Sequence, residues 1–223
     1  MPAALASTTL AMLLADSRLP AGAHVNSGAL EAALRDGLDP ARTGDYLAGR
    51  MVTIVPVEAG TAVVARHLAL RGDDHAALRR EWAARTPSRA QRKVAVALGE
   101  GLRRLADALW PGAVPPAPSG TAPWPRPIVL GLIAASAGLG AEDLVRLVAY
   151  DDAQTVAAAL LKLEPGDPRD AAALVLAACA HLEPRVAELA ALEDPTRIPC
   201  AGAPLIDGWA EAQSQLPRRL FRA

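Results

Sequence analysis

A proline-rich segment, residues 111–127 (PGAVPPAPSGTAPWPRP), divides an otherwise helix-forming chain into two halves. Proline fixes φ and lacks a backbone N–H, so we expect an extended linker or an irregular surface loop here rather than a helix. Each half carries few large apolar side chains, which favours two helical layers around one shared core. We therefore predict one domain over residues 1–223. Two domains joined by this segment remain the alternative.

The rest of the chain has helical periodicity. Alanine accounts for a large share of the residues, and it combines high helix propensity with a side chain small enough for close helix packing. Apolar residues recur at i, i+3 and i+4, and no strand alternation competes with them. The sequence predicts an all-α, single-domain bundle of about eight to ten helices, with a flexible C-terminal tail over residues 193–223.

Several helix boundaries follow from capping signals. Ser7 is predicted to cap the first helix, Asn26 or Ser27 the second, and Thr43 opens the third. A longer helix begins at residues 86–88 and ends before the proline-rich segment. The helices predicted in the second half are Ile128–Ala137, Ala141–Leu163, Asp170–Leu182 and a short one near Leu205–Gln215.

Composition and charge narrow the class of protein. Hydrophobic residues make up 52% of the chain and the formal net charge is −1, which is typical of a globular protein rather than a disordered one. No apolar run reaches the length of about 20 residues that spans a bilayer. Two cysteines are too few for a disulfide framework, and no basic segment precedes the apolar start of the chain. We therefore expect a cytoplasmic protein with no membrane span.

Common catalytic signatures are missing. The sequence contains no phosphate-binding GxxxxGK[ST], no dinucleotide fingerprint, no HExxH and no GxSxG. Cys179 and His181 lie about 200° apart on a helix, so they are poorly placed to bind one metal ion. We predict that the protein is not an enzyme and that it has neither a metal site nor a cofactor. The competing hypothesis is a helical enzyme whose acid–base site is assembled from His67, Asp151 and Asp152.

A local excess of arginine suggests a second alternative. The stretch from Arg66 to Arg104 carries ten basic and four acidic residues, which could face nucleic acid. Trp82 is its only aromatic residue, so a base-stacking platform is missing. We expect no nucleic-acid partner, and a nucleic-acid-binding or regulatory protein using this face remains the alternative.

Three stretches carry a resemblance to a known family. Residues 13–34 (LLADSRLPAGAHVNSGALEAAL) contain D-S, then L-P-x-G, then S-G-x-L-E opening a helix. Residues 149–168 (AYDDAQTVAAALLKLEPGDP) form an alanine-rich helix that ends in K-L followed by proline, and the chain ends in RRLFRA. Together these stretches resemble the UreF family of urease accessory proteins over essentially the whole chain.

The resemblance is imperfect at one turn. The family's glycine-rich G-G-F-S-H-S-G-G pattern is here replaced by residues 21–29 (AGAHVNSGA), which lack two of its glycines and its histidine, although His24 lies two residues earlier. Pro20, Gly22 and Gly28 still permit tight backbone geometry. The family's terminal serine is Ala223 in this sequence.

The resemblance implies an all-helical scaffold with no chemistry of its own. Such proteins form homodimers, bind UreD (called UreH in some organisms) through the C-terminal part, and recruit the GTPase UreG. The assembly delivers nickel to apo-urease in a GTP-dependent way, and the nucleotide-binding residues belong to UreG.

The resemblance also implies partner-binding residues. Glu31, in the S-G-x-L-E match, and Lys162, in the K-L match, occupy positions that the family presents towards the GTPase. The alternative interpretation is that Glu31 and Lys162 are a solvated pair of surface charges. The terminal match is Arg218, Arg219, Leu220, Phe221 and Arg222. One aromatic anchor among guanidinium groups suits a segment that orders on binding, and a frayed terminus is the alternative.

Overall fold

A computed structural model describes residues 6–16, 19, 26–217 and 220–221 of the chain. Within these residues the chain is all-helical and contains no strand. The helices are α1 (Ser7–Leu14), α2 (Leu30–Arg35), α3 (Thr43–Val52), α4 (Ile54–Arg71), α5 (Ala76–Arg85), α6 (Arg89–Leu109), α7 (Arg126–Ala137), α8 (Ala141–Leu163), α9 (Pro168–Leu182), α10 (Val186–Ala190) and α11 (Pro204–Gln215). Short 3₁₀ turns occupy Pro40–Arg42, Glu183–Arg185 and Pro195–Arg197. The predicted all-α fold is confirmed.

The centre of the bundle is the packing of α4 against α7, with α8 packed on α4 and α6 packed on α7. Small residues allow the close approach: a Cβ placed on Gly131 of α7 would lie 2.2 Å from the carbonyl oxygen of Ala62 in α4. Because α4 precedes the proline-rich segment and α7 follows it, the two halves share one hydrophobic core. The single-domain arrangement is therefore confirmed over the alternative of two separate cores.

The proline-rich segment is an irregular loop that packs on the bundle. Val114 and Trp124 are buried, and the indole Nε1–H of Trp124 donates to the carbonyl oxygen of Pro115 over 3.0 Å. A Cβ on Gly99 of α6 would lie 2.2 Å from the carbonyl oxygen of Trp124, so the loop crosses α6 closely. The loop ends slightly earlier than predicted, because Arg126 already begins α7.

Two predicted caps are wrong. Ser7 is the first residue of α1 rather than its cap, and its hydroxyl instead hydrogen-bonds the carboxylate of Asp143 at the start of α8. Neither Asn26 nor Ser27 is the cap of α2, which begins at Leu30 after Ala29. Thr43 does begin α3, as predicted.

One helical run is long enough to be compared with a membrane span. The run Pro40–Arg71 covers 32 residues, and its most apolar 18-residue window has a mean hydropathy of 1.4 and is 67% buried inside the bundle. Since α4 is the central helix, this apolarity is explained by its packing in the core.

Candidate functional site

Glu31 lies in the first turn of α2 and receives the C-terminal tail. Its carboxylate accepts hydrogen bonds from the backbone N–H of Leu220 over 2.9 Å and of Phe221 over 3.2 Å. The side chain is only 1% exposed. The alternative of a solvated surface charge is therefore wrong for Glu31, because the chain's own tail covers it.

Gln213 of α11 completes the dock around Glu31. Its side-chain amide donates to Glu31 Oε2 over 2.9 Å, and its Oε1 accepts from the N–H of Ala32 over 3.0 Å. Arg35, one turn further along α2, donates to Glu31 Oε1 over 2.9 Å. The buried amide of Gln213 thus connects α11 to the backbone of α2 and to the Glu31 carboxylate that holds the tail.

These contacts set the ionisation of Glu31. Burial alone would raise the pKa of its carboxyl, but the N–H groups of Leu220 and Phe221 and the amide of Gln213 outweigh burial and lower that pKa below its ordinary value. The charge of Arg35 acts in the same direction. Glu31 is therefore a carboxylate at neutral pH and needs its donors to remain buried.

Phe221 anchors the tail and brings Lys162 to the same place. The Phe221 ring is 1% exposed, whereas Leu220 is 58% exposed and faces outward. The Nζ of Lys162, near the end of α8, lies 5.3 Å from the centroid of the Phe221 ring, within the range of a cation–π contact. The structure therefore places Glu31, Lys162, Leu220 and Phe221 together, in what we call the tail dock.

The three terminal arginines of the predicted site cannot be placed in the tail dock. Arg218, Arg219 and Arg222 lie outside the described residues, as do residues 21–25 of the altered turn. At Leu220 and Phe221 the tail is held against α2 rather than free in solution. The proposed role of all seven site residues in partner binding stays a prediction.

The turn that leads into α2 is held by residues that sequence reasoning missed. Gly28 and Ala29 both have positive φ, +61° and +71°. The carbonyl oxygen of Gly28 accepts hydrogen bonds from the hydroxyl of Tyr46 over 2.5 Å and from Nη1 of Arg50 over 3.0 Å. Arg50 in turn pairs with Asp152 of α8 over 2.5 Å. No local pattern marked Arg50, since its partners are distant in sequence.

A cavity of ≈ 410 Å³ lies between this turn and helices α4, α6, α8 and α11. Its charged lining includes two ion pairs, Arg50 with Asp152 and Arg126 with Asp151, the second over 2.7 Å. The cavity thus collects Asp151 and Asp152 of the proposed acid–base site, and each carboxylate is engaged by a guanidinium. His67 does not line it; its Nδ1 lies 3.8 Å from Glu193.

Glu58 adds a third carboxyl to the cavity wall. Burial raises the pKa of Glu58, and a hydrogen bond of 2.9 Å from the indole of Trp82 only partly offsets this effect. Burial likewise raises the pKa of Asp151, against the charge of Arg126. Within the described residues, no group of His, Cys, Asp or Glu side chains is arranged to hold a metal ion.

Several arginines between Arg66 and Arg104 brace the fold. Arg66 donates to the carbonyl oxygen of Leu139 over 2.7 Å, and Arg85 donates to that of Ile198 over 2.9 Å. Arg103 pairs with two acidic residues of its own helix, α6. Guanidinium groups engaged in this way are not free to contact phosphates, so Arg66, Arg85 and Arg103 do not support the nucleic-acid alternative.

Comparison with known proteins identifies relatives over nearly the whole chain. The family model described as UreF matches residues 38–179. The protein called urease accessory protein UreF from Mycobacterium sp. (strain JLS) is 37% identical over 220 residues, covering 96% of this chain and 99% of the relative. The protein of the same name from Mycobacterium marinum is 37% identical over 224 residues, with 96% and 99% coverage. That from Mycobacterium tuberculosis (strain CDC 1551 / Oshkosh) is 33% identical over 229 residues, with the same coverage.

Proposed function

Because the chain belongs to the UreF family of urease accessory proteins, we propose that it is a non-catalytic adaptor in the maturation of urease. In this proposal it joins UreD (UreH) and the GTPase UreG in the cytoplasm, modulates the GTPase activity of UreG, and promotes GTP-dependent nickel insertion into apo-urease. The tail dock is the single observation that carries the proposal.

The tail dock has the properties of a preorganised binding surface. Its centre is rigid, since Glu31 and Phe221 are each 1% exposed and hydrogen-bonded to one another. Its rim is accessible: Lys162 is exposed and Leu220 is 58% exposed. A charged and an apolar group presented side by side on a fixed frame suit protein recognition. In the proposal Lys162 and Leu220 touch the partner, and Glu31 fixes the frame.

The adaptor is proposed to act as a homodimer through the outer face of α9. Leu176 is 73% exposed, and alanines on the same face surround it. In an antiparallel pair of α9 helices centred on Leu176, the exposed alanines of one copy lie against those of the other, and small residues allow close approach.

Co-elution tests the adaptor function directly. The purified chain is mixed with UreD and UreG, and the mixture is analysed by gel filtration with light scattering, followed by GTPase and nickel-incorporation assays with apo-urease. We expect a complex containing all three proteins and a change in the GTP hydrolysis rate. Failure to co-elute with either protein would refute the adaptor proposal.

Substitutions on the rim test whether the tail dock is the surface used. We expect Leu220→Asp and Lys162→Glu to weaken capture of the partners. Leu70→Asp is the matched control, because Leu70 of α4 is 59% exposed and lies outside the tail dock. Equal losses for Leu220→Asp and Leu70→Asp would argue that this surface has no special role.

A further inference from the structure

We propose that Arg50 is a positioning residue for the tail dock: by holding the Gly28–Ala29 turn against Asp152, it fixes the start of α2 and places Glu31 to receive the tail. This inference deepens the proposed function, because it rests on the tail dock being the partner-binding surface. It assigns the ion pair on the cavity wall to binding rather than to acid–base chemistry.

The three contacts of Arg50 join three parts of the chain. Its Nε and Nη2 donate to the two carboxylate oxygens of Asp152 over 2.8 and 2.5 Å, and its Nη1 donates to the carbonyl oxygen of Gly28 over 3.0 Å. The Arg50 side chain is 8% exposed. Burial lowers the pKa of Arg50, but the charge of Asp152 outweighs it and raises that pKa, so Arg50 keeps its positive charge. A planar fork with a further donor is a geometry that lysine cannot supply.

The turn needs an external hold. Two consecutive residues with positive φ, one of them the non-glycine Ala29, form a conformation that L-residues avoid unless the surroundings impose it. A Cβ on Gly28 would lie 2.9 Å from a methyl group of Val156 in α8, so the turn is also pressed against that helix. The donors on the Gly28 carbonyl, Arg50 and Tyr46, therefore oppose the relaxation of the turn.

This turn also determines the position of Glu31. Gly28 and Ala29 directly precede Leu30 and Glu31, and α2 is only six residues long. A short helix has little stability of its own, so its position depends on its attachments. The Glu31 hydrogen bonds to the tail are 2.9 and 3.2 Å long, and a displacement of half an ångström would break the longer one.

A matched ion pair provides the control. Arg126 and Asp151 line the same cavity at 2.7 Å with side chains 13% and 21% exposed, compared with 8% and 18% for Arg50 and Asp152. The hydrogen bond of Arg126 goes to Asp151 rather than to the turn. Arg126→Gln therefore reproduces the loss of a buried ion pair without removing the hold on Gly28.

The experiment measures hydrogen exchange of the C-terminal peptide in the full chain, with the melting temperature recorded in parallel. We expect Arg50→Gln to accelerate exchange at Leu220 and Phe221 about tenfold or more, the effect of losing one charge-assisted hydrogen bond. Arg126→Gln should leave it unchanged. Arg50→Lys should also accelerate exchange, because lysine restores the charge but not the fork. Equal effects of Arg50→Gln and Arg126→Gln on the tail would overturn the inference.

A second variant keeps the test valid if Arg50→Gln does not fold. Tyr46→Phe removes the other donor to the Gly28 carbonyl and leaves the Arg50–Asp152 pair in place. We expect faster tail exchange in this variant as well, and unchanged exchange would count against the proposal.

Partner capture separates this inference from the proposed function. If Arg50→Gln frees the tail and capture of UreD or UreG falls, both are supported. If it frees the tail and capture is unchanged, Arg50 still positions the dock but the dock is not the partner surface. If capture falls while tail exchange stays slow, Arg50 does not act through the tail and the inference is overturned.

Discussion

Replacing Glu31 with glutamine tests the tail dock with the smallest change in shape. The carboxylate accepts two backbone N–H groups of the tail, at 2.9 and 3.2 Å. Glutamine has one carbonyl oxygen, so its amide group would face one of these donors, or the amide of Gln213, with a donor of its own. The substitution therefore removes at least one charge-assisted hydrogen bond and creates a donor–donor contact.

The magnitude follows from the contacts in the dock. Burial of the Phe221 ring stabilises the docked tail by about 1.5–3 kcal/mol, and ordering each tail residue costs about 1–2 kcal/mol. For Leu220 and Phe221 these contributions nearly cancel, so the Glu31 hydrogen bonds decide whether the tail stays docked. A hydrogen bond to a charged group contributes about 1.5–3 kcal/mol. We expect Glu31→Gln to weaken docking by about 3 kcal/mol, which is about a hundredfold change in the ratio of docked to released tail.

Hydrogen exchange at Leu220 and Phe221 measures this ratio. Asp36→Asn is the matched control, because Asp36 follows α2 directly and accepts from the Trp209 indole of α11 over 2.8 Å rather than from the tail. We expect fast exchange in Glu31→Gln and slow exchange in Asp36→Asn. Slow tail exchange in Glu31→Gln would refute the reasoning, since it would show that Phe221 alone holds the tail.

The pH dependence of the dock has a definite sign. The pKa of Glu31 is lower in the docked state than its ordinary value of 4.5. The docked tail is therefore stabilised by the ionised form of Glu31 more than by its protonated form. The stabilisation of the docked tail by Glu31 is therefore fully present above about pH 4.5 and is lost as the pH falls through the lowered pKa. Tail exchange, corrected for its intrinsic pH dependence, should rise only in that acidic range, and Glu31→Gln should abolish the rise.

Three further predictions concern stability. Glu58→Gln should raise the melting temperature at pH 8 relative to wild type, because burial raises the pKa of Glu58 and its ionised form opposes folding. This gain in melting temperature should disappear as the pH is lowered towards 4.5. A gain that does not depend on pH would contradict this cause. Gly131→Ala should destabilise by about 3 kcal/mol or more in urea denaturation, since its Cβ meets backbone at 2.2 Å, whereas Gly49→Ala, with nothing within 4 Å, should stabilise by up to about 1 kcal/mol. Dilution should lower the melting temperature if the homodimer forms, and Leu176→Glu should remove that dependence.

The helices and the loop between the halves were predictable because their signals are local. Apolar spacing identified α8 and α9, and the prolines excluded a helix over most of residues 111–127. The caps at Ser7 and at Asn26 or Ser27 were wrong for a physical reason. A serine or asparagine signals a cap only when its side chain has no better partner, and Ser7 instead bonds Asp143, 136 residues away.

The tail dock was only half predictable. The S-G-x-L-E and R-L-F matches pointed to Glu31 and Phe221, but they left Glu31 as a charge facing either a partner or solvent. Its burial depends on a tail that returns across 189 residues, which no local pattern encodes. Arg50 gave no signal at all, because its partner Asp152 is 102 residues away. Such contacts become visible only when the bundle brings α2, α3, α8 and α11 together.

The burial of Glu31 limits how a partner can use the tail. A partner that displaced Leu220 and Phe221 and covered Glu31 in their place would keep the carboxylate buried without two of its donors, and removing one side of a buried charged contact costs about 3–5 kcal/mol. Such a partner must bring N–H donors of its own to Glu31. A partner that binds the outer side of the docked tail, at Leu220 and Lys162, avoids this cost. The structure therefore favours recognition of the tail in place, with Glu31 acting from beneath it.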